Sequence, residues 1–140
     1  MIDIEFLWFD GCPNHVDARA MLLDVLRERG VDPPVRDIDA SDPKVAERVR
    51  FPGSPTIRVN GVDVMPGFLD RGDYTPACRV YYTASGLRGV PERSWVEAAI
   101  DAALRGNAWA CGSRLAGLES LRPQARGHLD QILMQASTKP

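Results

Sequence analysis

The sequence predicts a three-layer α/β domain of order β-α-β-α-β-β-α, with an extra helical tail at its C-terminus. Three features carry that expectation. Residues 2–9 form an apolar run cut short by Asp10-Gly11-Cys12-Pro13, Asn60-Gly61 separates two strand-like runs, and residues 94–104 place apolar side chains at helical spacing.

Ile2, Ile4, Phe6, Leu7, Trp8 and Phe9 begin with alternation and become continuously apolar, as in a strand buried on both faces. Pro13 suits the first turn of a helix, where a missing N–H costs nothing. Val16, Leu22, Leu23, Val25 and Leu26 then follow a helical spacing that stops at Gly30. Val35–Asp39 reads as a second strand. Asp42-Pro43 reads as N-cap and first helical residue of a short helix through about Arg50. Thr56–Val59 and Val62–Met65, joined by Asn60-Gly61, form the strongest hairpin signal in the chain. The first connections are expected to be crossovers, with the hairpin adding an antiparallel edge.

Residues 66–93 are rich in Gly and Pro and offer one ordered patch, Cys78–Thr83. A loop this long in a compact domain is usually functional or hides a short element. Ser94 and Glu97 have capping-box spacing, and Trp95, Val96, Ala99, Ile100, Ala103 and Leu104 fill the expected buried face of the last core helix.

The 140 residues suffice for one domain, expected at 1–105, and an extension at 106–140. The first 104 residues carry 12 basic and 17 acidic side chains and the last 36 carry 5 and 2, which sets the tail apart. Within it Leu129, Ile132, Leu133 and Ala136 make an amphipathic stripe that must cover its own domain, a twin subunit in a homodimer through this helix, or another partner. The net charge of −2 argues against a nucleic-acid partner. No apolar run approaches the ~18 residues of a membrane span, and the N-terminus shows no export signal. Three cysteines, at 12, 78 and 111, do not make a secreted disulfide framework, so a reducing, cytoplasmic setting is expected. His15, His128 and the scattered cysteines lack paired zinc-ligand spacing, and no metal or cofactor is expected.

Two short motifs narrow the fold. Asp10-Gly11-Cys12-Pro13-Asn14-His15 follows the first strand, and Gly53-Ser54-Pro55-Thr56 precedes the third. The pair resembles the thioredoxin superfamily, over roughly residues 2–65 and the helix at 94–104. More narrowly, Phe9-Asp10-Gly11-Cys12-Pro13 with Cys78-Arg79-Val80-Tyr81 is similar to a bacterial group of thioredoxin-like proteins, the DF family, in which some members carry selenocysteine at the position of Cys12. The resemblance implies a reactive cysteine opening helix one, a cis Ser54–Pro55 bond beside it, and Ser54 and Pro55 presenting backbone to a substrate.

Physical chemistry supports a reactive Cys12, because unpaired N–H groups and the helix dipole both stabilise a thiolate. His15, three residues on, is read either as an acid–base partner of Cys12 or as a polar residue of the first turn. It occupies the place of the second cysteine in Cys-x-x-Cys, so a one-cysteine mechanism or a resolving thiol from elsewhere must replace the two-cysteine cycle. Cys78 is either that thiol or an inert packing cysteine, and Cys111 is expected to be structural. Asp10 is a turn residue near enough to serve as a proton donor, while Trp8, Tyr81 and Tyr82 are expected in the core. The leading expectation is a thiol oxidoreductase acting on a thiol, disulfide or peroxide through Cys12. The alternatives are an organomercurial lyase-like or thiolate metal-binding protein using Cys12, Cys78 and Asp10, and a non-enzymatic interaction module.

Overall fold

Ile4–Trp8 form β1, the central strand that everything else is arranged around. The computed structural model describes residues 2–112, with side chains as far as Gly106. β1 pairs in parallel with β2 (Val35–Asp39), Ile4 opposite Val35 and Trp8 opposite Asp39. On its other side it pairs antiparallel with β3 (Thr56–Val59), Ile4 opposite Val59. β4 (Val62–Asp63) completes a mixed four-stranded sheet of order β2-β1-β3-β4. Helices α1 (His15–Glu28), α2 (Pro43–Arg48) and α3 (Arg93–Gly112) flank it. A separate hairpin joins β5 (Tyr81–Thr83) to β6 (Gly86–Arg88).

The apolar run in β1 is continuous because both faces are covered. Ile4 and Phe6 belong to a core with Leu22 and Val25 of α1 and Val96 and Ile100 of α3. Leu7 faces the other way, into a smaller core with Ala40, Ala46 of α2 and Phe51. Each such aliphatic or aromatic side chain contributes roughly 1.5–3 kcal/mol on burial. β2 is mostly exposed and edged with charge: Arg36 reaches Asp3 and Glu5, and Arg19 reaches Asp37. Charges of this kind discourage a foreign strand from adding to the edge.

Five local expectations are corrected. α1 starts at His15 with Asn14 as its cap residue, so Pro13 lies in the preceding turn rather than at the first helical position. Val16 and Leu23 point to solvent, and Ala18 takes their place in the buried stripe. Only the first connection returns parallel. After α2 the chain enters β3 at the end of the sheet where β2 leaves it, with Asp39 opposite Trp8 and Thr56 opposite Leu7, so β3 runs antiparallel to β1. Finally, the Ser94–Glu97 box does not form. The helix begins at Arg93, the Glu92 carbonyl accepts the Trp95 N–H at 3.0 Å, and Glu97 is claimed by Arg93 Nε at 2.9 Å. Leu104, expected on the buried face, is exposed.

Asn60 and Gly61 both adopt positive φ, 53° and 81°, as the two-residue hairpin requires. Asp42 caps α2 by accepting the Lys44 N–H at 2.8 Å. The chain divides into two units, Met1–Ala103 and Leu104–Pro140, and α3 continues through Gly106 and Asn107 to Gly112. The expected tail helix, His128 and the side chains of Trp109 and Cys111 lie outside the described residues. Among the described residues no helix is long and apolar enough to cross a membrane.

Candidate active site

Cys12 sits where the chain turns from β1 into α1. Its N–H donates to the Phe9 carbonyl at 3.1 Å, closing the turn. Its sulfur accepts the Asn14 N–H at 3.3 Å and faces the Ser54 carbonyl at 3.6 Å, where the thiol donates. The residue is buried, 2% exposed.

Ser54 is the hub on the opposite side. The Ser54–Pro55 bond is cis. The Ser54 N–H donates to the Ala77 carbonyl at 2.8 Å, and its own carbonyl accepts the Arg79 N–H at 2.9 Å. These two bonds form a parallel bridge between Ser54 and Cys78. Expected to offer its backbone to a substrate, Ser54 instead has both groups occupied by the chain's own segment 77–79. Pro55 likewise has its carbonyl taken, by the Tyr81 hydroxyl. Gly53 permits this close approach: with φ of 128°, a Cβ there would stand 2.8 Å from Arg79 Cβ.

From Cys78 to Tyr82 the side chains alternate strictly. Cys78, Val80 and Tyr82 are exposed, Arg79 and Tyr81 buried. The bridge sets Cys78 beside Ser54, whose carbonyl faces the Cys12 sulfur. Partial desolvation pushes the Cys78 thiol up, and the nearby Cys12 pushes it further. The two cysteines, 66 positions apart, are thus brought against the same residue.

His15 is placed elsewhere. Because α1 begins at His15, residues 12 and 15 do not share a helical face. Its ring stacks on Trp8 with centroids 4.6 Å apart, and its Nδ1 is buried without a hydrogen-bond partner. No hydrogen bond joins it to Cys12 among the described residues. Trp8 is half-buried and donates from Nε1 to Asp37. Asp10 is exposed; its N–H donates to Ser41 Oγ at 2.8 Å, and its carboxylate makes no hydrogen bond to either sulfur among the described residues. The Ser54 hydroxyl is buried and unpartnered. Among the described residues no group of three or more His, Cys, Asp or Glu side chains gathers to hold a metal ion.

Sequence reasoning missed the cluster beneath Cys78. The side chains of Arg79, Asp63, Thr56 and Tyr81 are all buried around the start of β3, next to Ser54. The available signal was the alternation of Cys78-Arg79-Val80-Tyr81, which puts a guanidinium on the same side as an aromatic ring that belongs in a core. Tyr82, expected in the core, is 78% exposed because it lies on the opposite side of that alternation.

Burial pushes the Tyr81 phenol well above its ordinary range, with nearby Arg79 opposing the shift. A phenol kept neutral by the fold contributes stability that is complete below about pH 10 and declines as pH rises beyond it. Tyr81 should therefore ionise only together with unfolding. The tyrosinate absorbance lost in Tyr81→Phe is expected to appear over the pH range in which the far-ultraviolet circular dichroism collapses. Its appearance in a folded protein would contradict the burial.

The chain matches no family model, no curated protein and no solved structure. Fold and site together define an α/β domain with a mixed four-stranded sheet, three helices and two cysteines placed against Ser54.

Proposed function

We propose that the chain is a thioredoxin-like thiol oxidoreductase in which Cys12 is the nucleophile and Cys78 the resolving thiol. The observation that carries the reading is that both cysteines are placed against Ser54, whose carbonyl faces the Cys12 sulfur at 3.6 Å and whose backbone bridges Cys78. The mixed sheet, the helices on both of its faces and the cis Ser54–Pro55 bond next to Cys12 support the fold assignment. Cys78 supplies what the absent second cysteine of Cys-x-x-Cys would supply.

Burial selects the oxidant. With Cys12 2% exposed and Ser54 paired to segment 77–79, a bulky disulfide has neither a path to the sulfur nor backbone to pair with. A small peroxide has the size of one or two waters. The Cys12 thiolate attacks one peroxide oxygen, the O–O bond breaks, and the leaving oxygen takes a proton and departs as water or alcohol. Cys12 is then a sulfenic acid, oxidised by two electrons. The Cys78 thiolate attacks that sulfur, hydroxide leaves and takes up the Cys78 proton as water, and a Cys12–Cys78 disulfide remains. Two equivalents of an external thiol restore the dithiol and leave as a disulfide.

The test is one equivalent of hydrogen peroxide followed by mass spectrometry of the peptides. The expected product is a Cys12–Cys78 crosslink. Because the Cys78 thiol is pushed up, closure is limited by its scarce thiolate, and its rate should rise about tenfold per pH unit between about pH 7 and 8.5. Oxidised Cys12 with no link to Cys78, or a closure rate flat in pH, counts against the assignment.

Two adjacent thiols also favour a second reading, capture of a soft cation such as Hg(II) or Cu(I) between Cys12 and Cys78. An organomercurial lyase needs an acid as well, and Asp10 is not hydrogen-bonded to either sulfur. Tight stoichiometric binding of such an ion without peroxide turnover would favour that reading.

A further inference from the structure

Arg79 follows Cys78 directly, yet its side chain points inward and is 8% exposed while Cys78 stands at the surface. Its Nη1 donates to Thr56 Oγ1 at 2.7 Å and to Asp63 Oδ2 at 2.8 Å. Its Nη2 donates to Asp63 Oδ1 at 3.2 Å and reaches Met65 Sδ at 3.5 Å. The rings of Phe68 and Tyr81 close over the guanidinium, with centroids 4.9 and 4.4 Å away. Thr56 is itself oriented, donating to the Gly53 carbonyl at 2.7 Å.

A buried ion pair is a poor way to gain stability, since well-packed apolar side chains of similar volume often do as well or better. What the fork of a guanidinium adds is direction, because two parallel donors fit a carboxylate in one orientation. Here that orientation fixes the backbone at Arg79. The same backbone places its N–H on the Ser54 carbonyl, which is also the carbonyl facing the Cys12 sulfur. The guanidinium cluster and the cysteine pair thus share one rigid piece of chain.

We infer that Arg79 is a positioning residue that sets the stability of the Cys12–Cys78 disulfide by locking segment 77–79 onto Ser54; this rests on the redox reading above. The tighter two thiols are held together before oxidation, the higher their effective concentration and the more the internal disulfide is favoured over mixed disulfides. Releasing Arg79 leaves both sulfurs present but lets Cys78 wander.

The experiment equilibrates the full chain in glutathione redox buffers and quantifies dithiol, internal disulfide and the glutathione adduct of the exposed Cys78. Arg79→Met is expected to lower the equilibrium constant for the internal disulfide at least about tenfold, raising the potential by about 30 mV for this two-electron couple. The Cys78–glutathione adduct should accumulate. Arg79→Lys keeps the charge but not the fork, and about a fivefold fall is expected. Phe68→Leu removes one aromatic face, and about a threefold fall is expected. In a Cys78→Ser background the alkylation rate of Cys12 should stay within about twofold on adding Arg79→Lys, which separates positioning from a general loss of structure. An equilibrium constant within about twofold of the parent in folded Arg79→Met overturns the inference. Should Arg79→Met not fold, unchanged constants in both Arg79→Lys and Phe68→Leu overturn it. A parent that forms no internal disulfide in any buffer overturns the redox reading instead.

Discussion

Cys78→Ser is expected to turn a single, reversible oxidation into an over-oxidation. Without Cys78 the sulfenic acid at Cys12 has no thiol beside it, and in excess peroxide it should proceed to sulfinic and sulfonic acids. Intact-mass spectra of the parent should show loss of two hydrogens, and those of Cys78→Ser should show addition of two and three oxygens. Cys12→Ser should show neither change. The contrast is expected to approach all or none, because an intramolecular thiol at an effective concentration of about a millimolar or more outruns further oxidation by micromolar peroxide. If Cys78→Ser oxidises as the parent does, Cys78 is a packing residue and resolution falls to an external thiol.

Asp63→Ala should be the most destabilising single change among the polar residues near the site. Asp63 and Arg79 have side chains 3% and 7% exposed, so removing the carboxylate strands a guanidinium in the interior. Breaking a buried pair from one side costs about 3–5 kcal/mol. The Met65 N–H also loses its acceptor, since Asp63 Oδ1 receives it at 2.9 Å. Urea unfolding should show the midpoint fall without a change in slope. Asp63→Asn, which retains acceptor and donor atoms but not the charge, is expected to lose less. A loss below about 1 kcal/mol for Asp63→Ala would mean that the guanidinium finds water, and that it does not anchor the segment.

The parts of this molecule that were legible in its sequence are those governed by local rules. The apolar run of β1, the Asn60-Gly61 turn and the Asp42 cap each announce themselves within a few residues. The candidate cysteine Cys12 was legible because of where the strand stops. What stayed hidden depends on pairings distant in sequence. Cys12 meets Ser54, Asp63 meets Arg79 and Thr56 meets Arg79 only once the sheet and the 66–79 segment are in place. β6 is a three-residue strand with every residue exposed, and no apolar alternation marks it. Of the two readings of His15, the position of its ring favours the polar residue of the first turn over the partner of Cys12, for a different reason. The partner reading counted residues from Pro13 along a helix that begins two positions later, and one displaced boundary moved the imidazole from the thiol to the face of Trp8.

The alternation from Cys78 to Tyr82 has a consequence for how this chain can change. Parity along an extended strand is unforgiving. One residue inserted between Cys78 and Arg79 either pulls the thiol away from Ser54 or expels the guanidinium to the surface. Upstream, where Gly67, Gly72 and Pro76 punctuate an irregular stretch, added length meets only the slow logarithmic cost of a longer loop, about 0.6 kcal/mol for each doubling. Past Phe68, whose ring covers Arg79, the chain as far as Ala77 can change length at the expense of exposed contacts such as Asp70 with Arg50, whereas the five residues that follow can change only in kind.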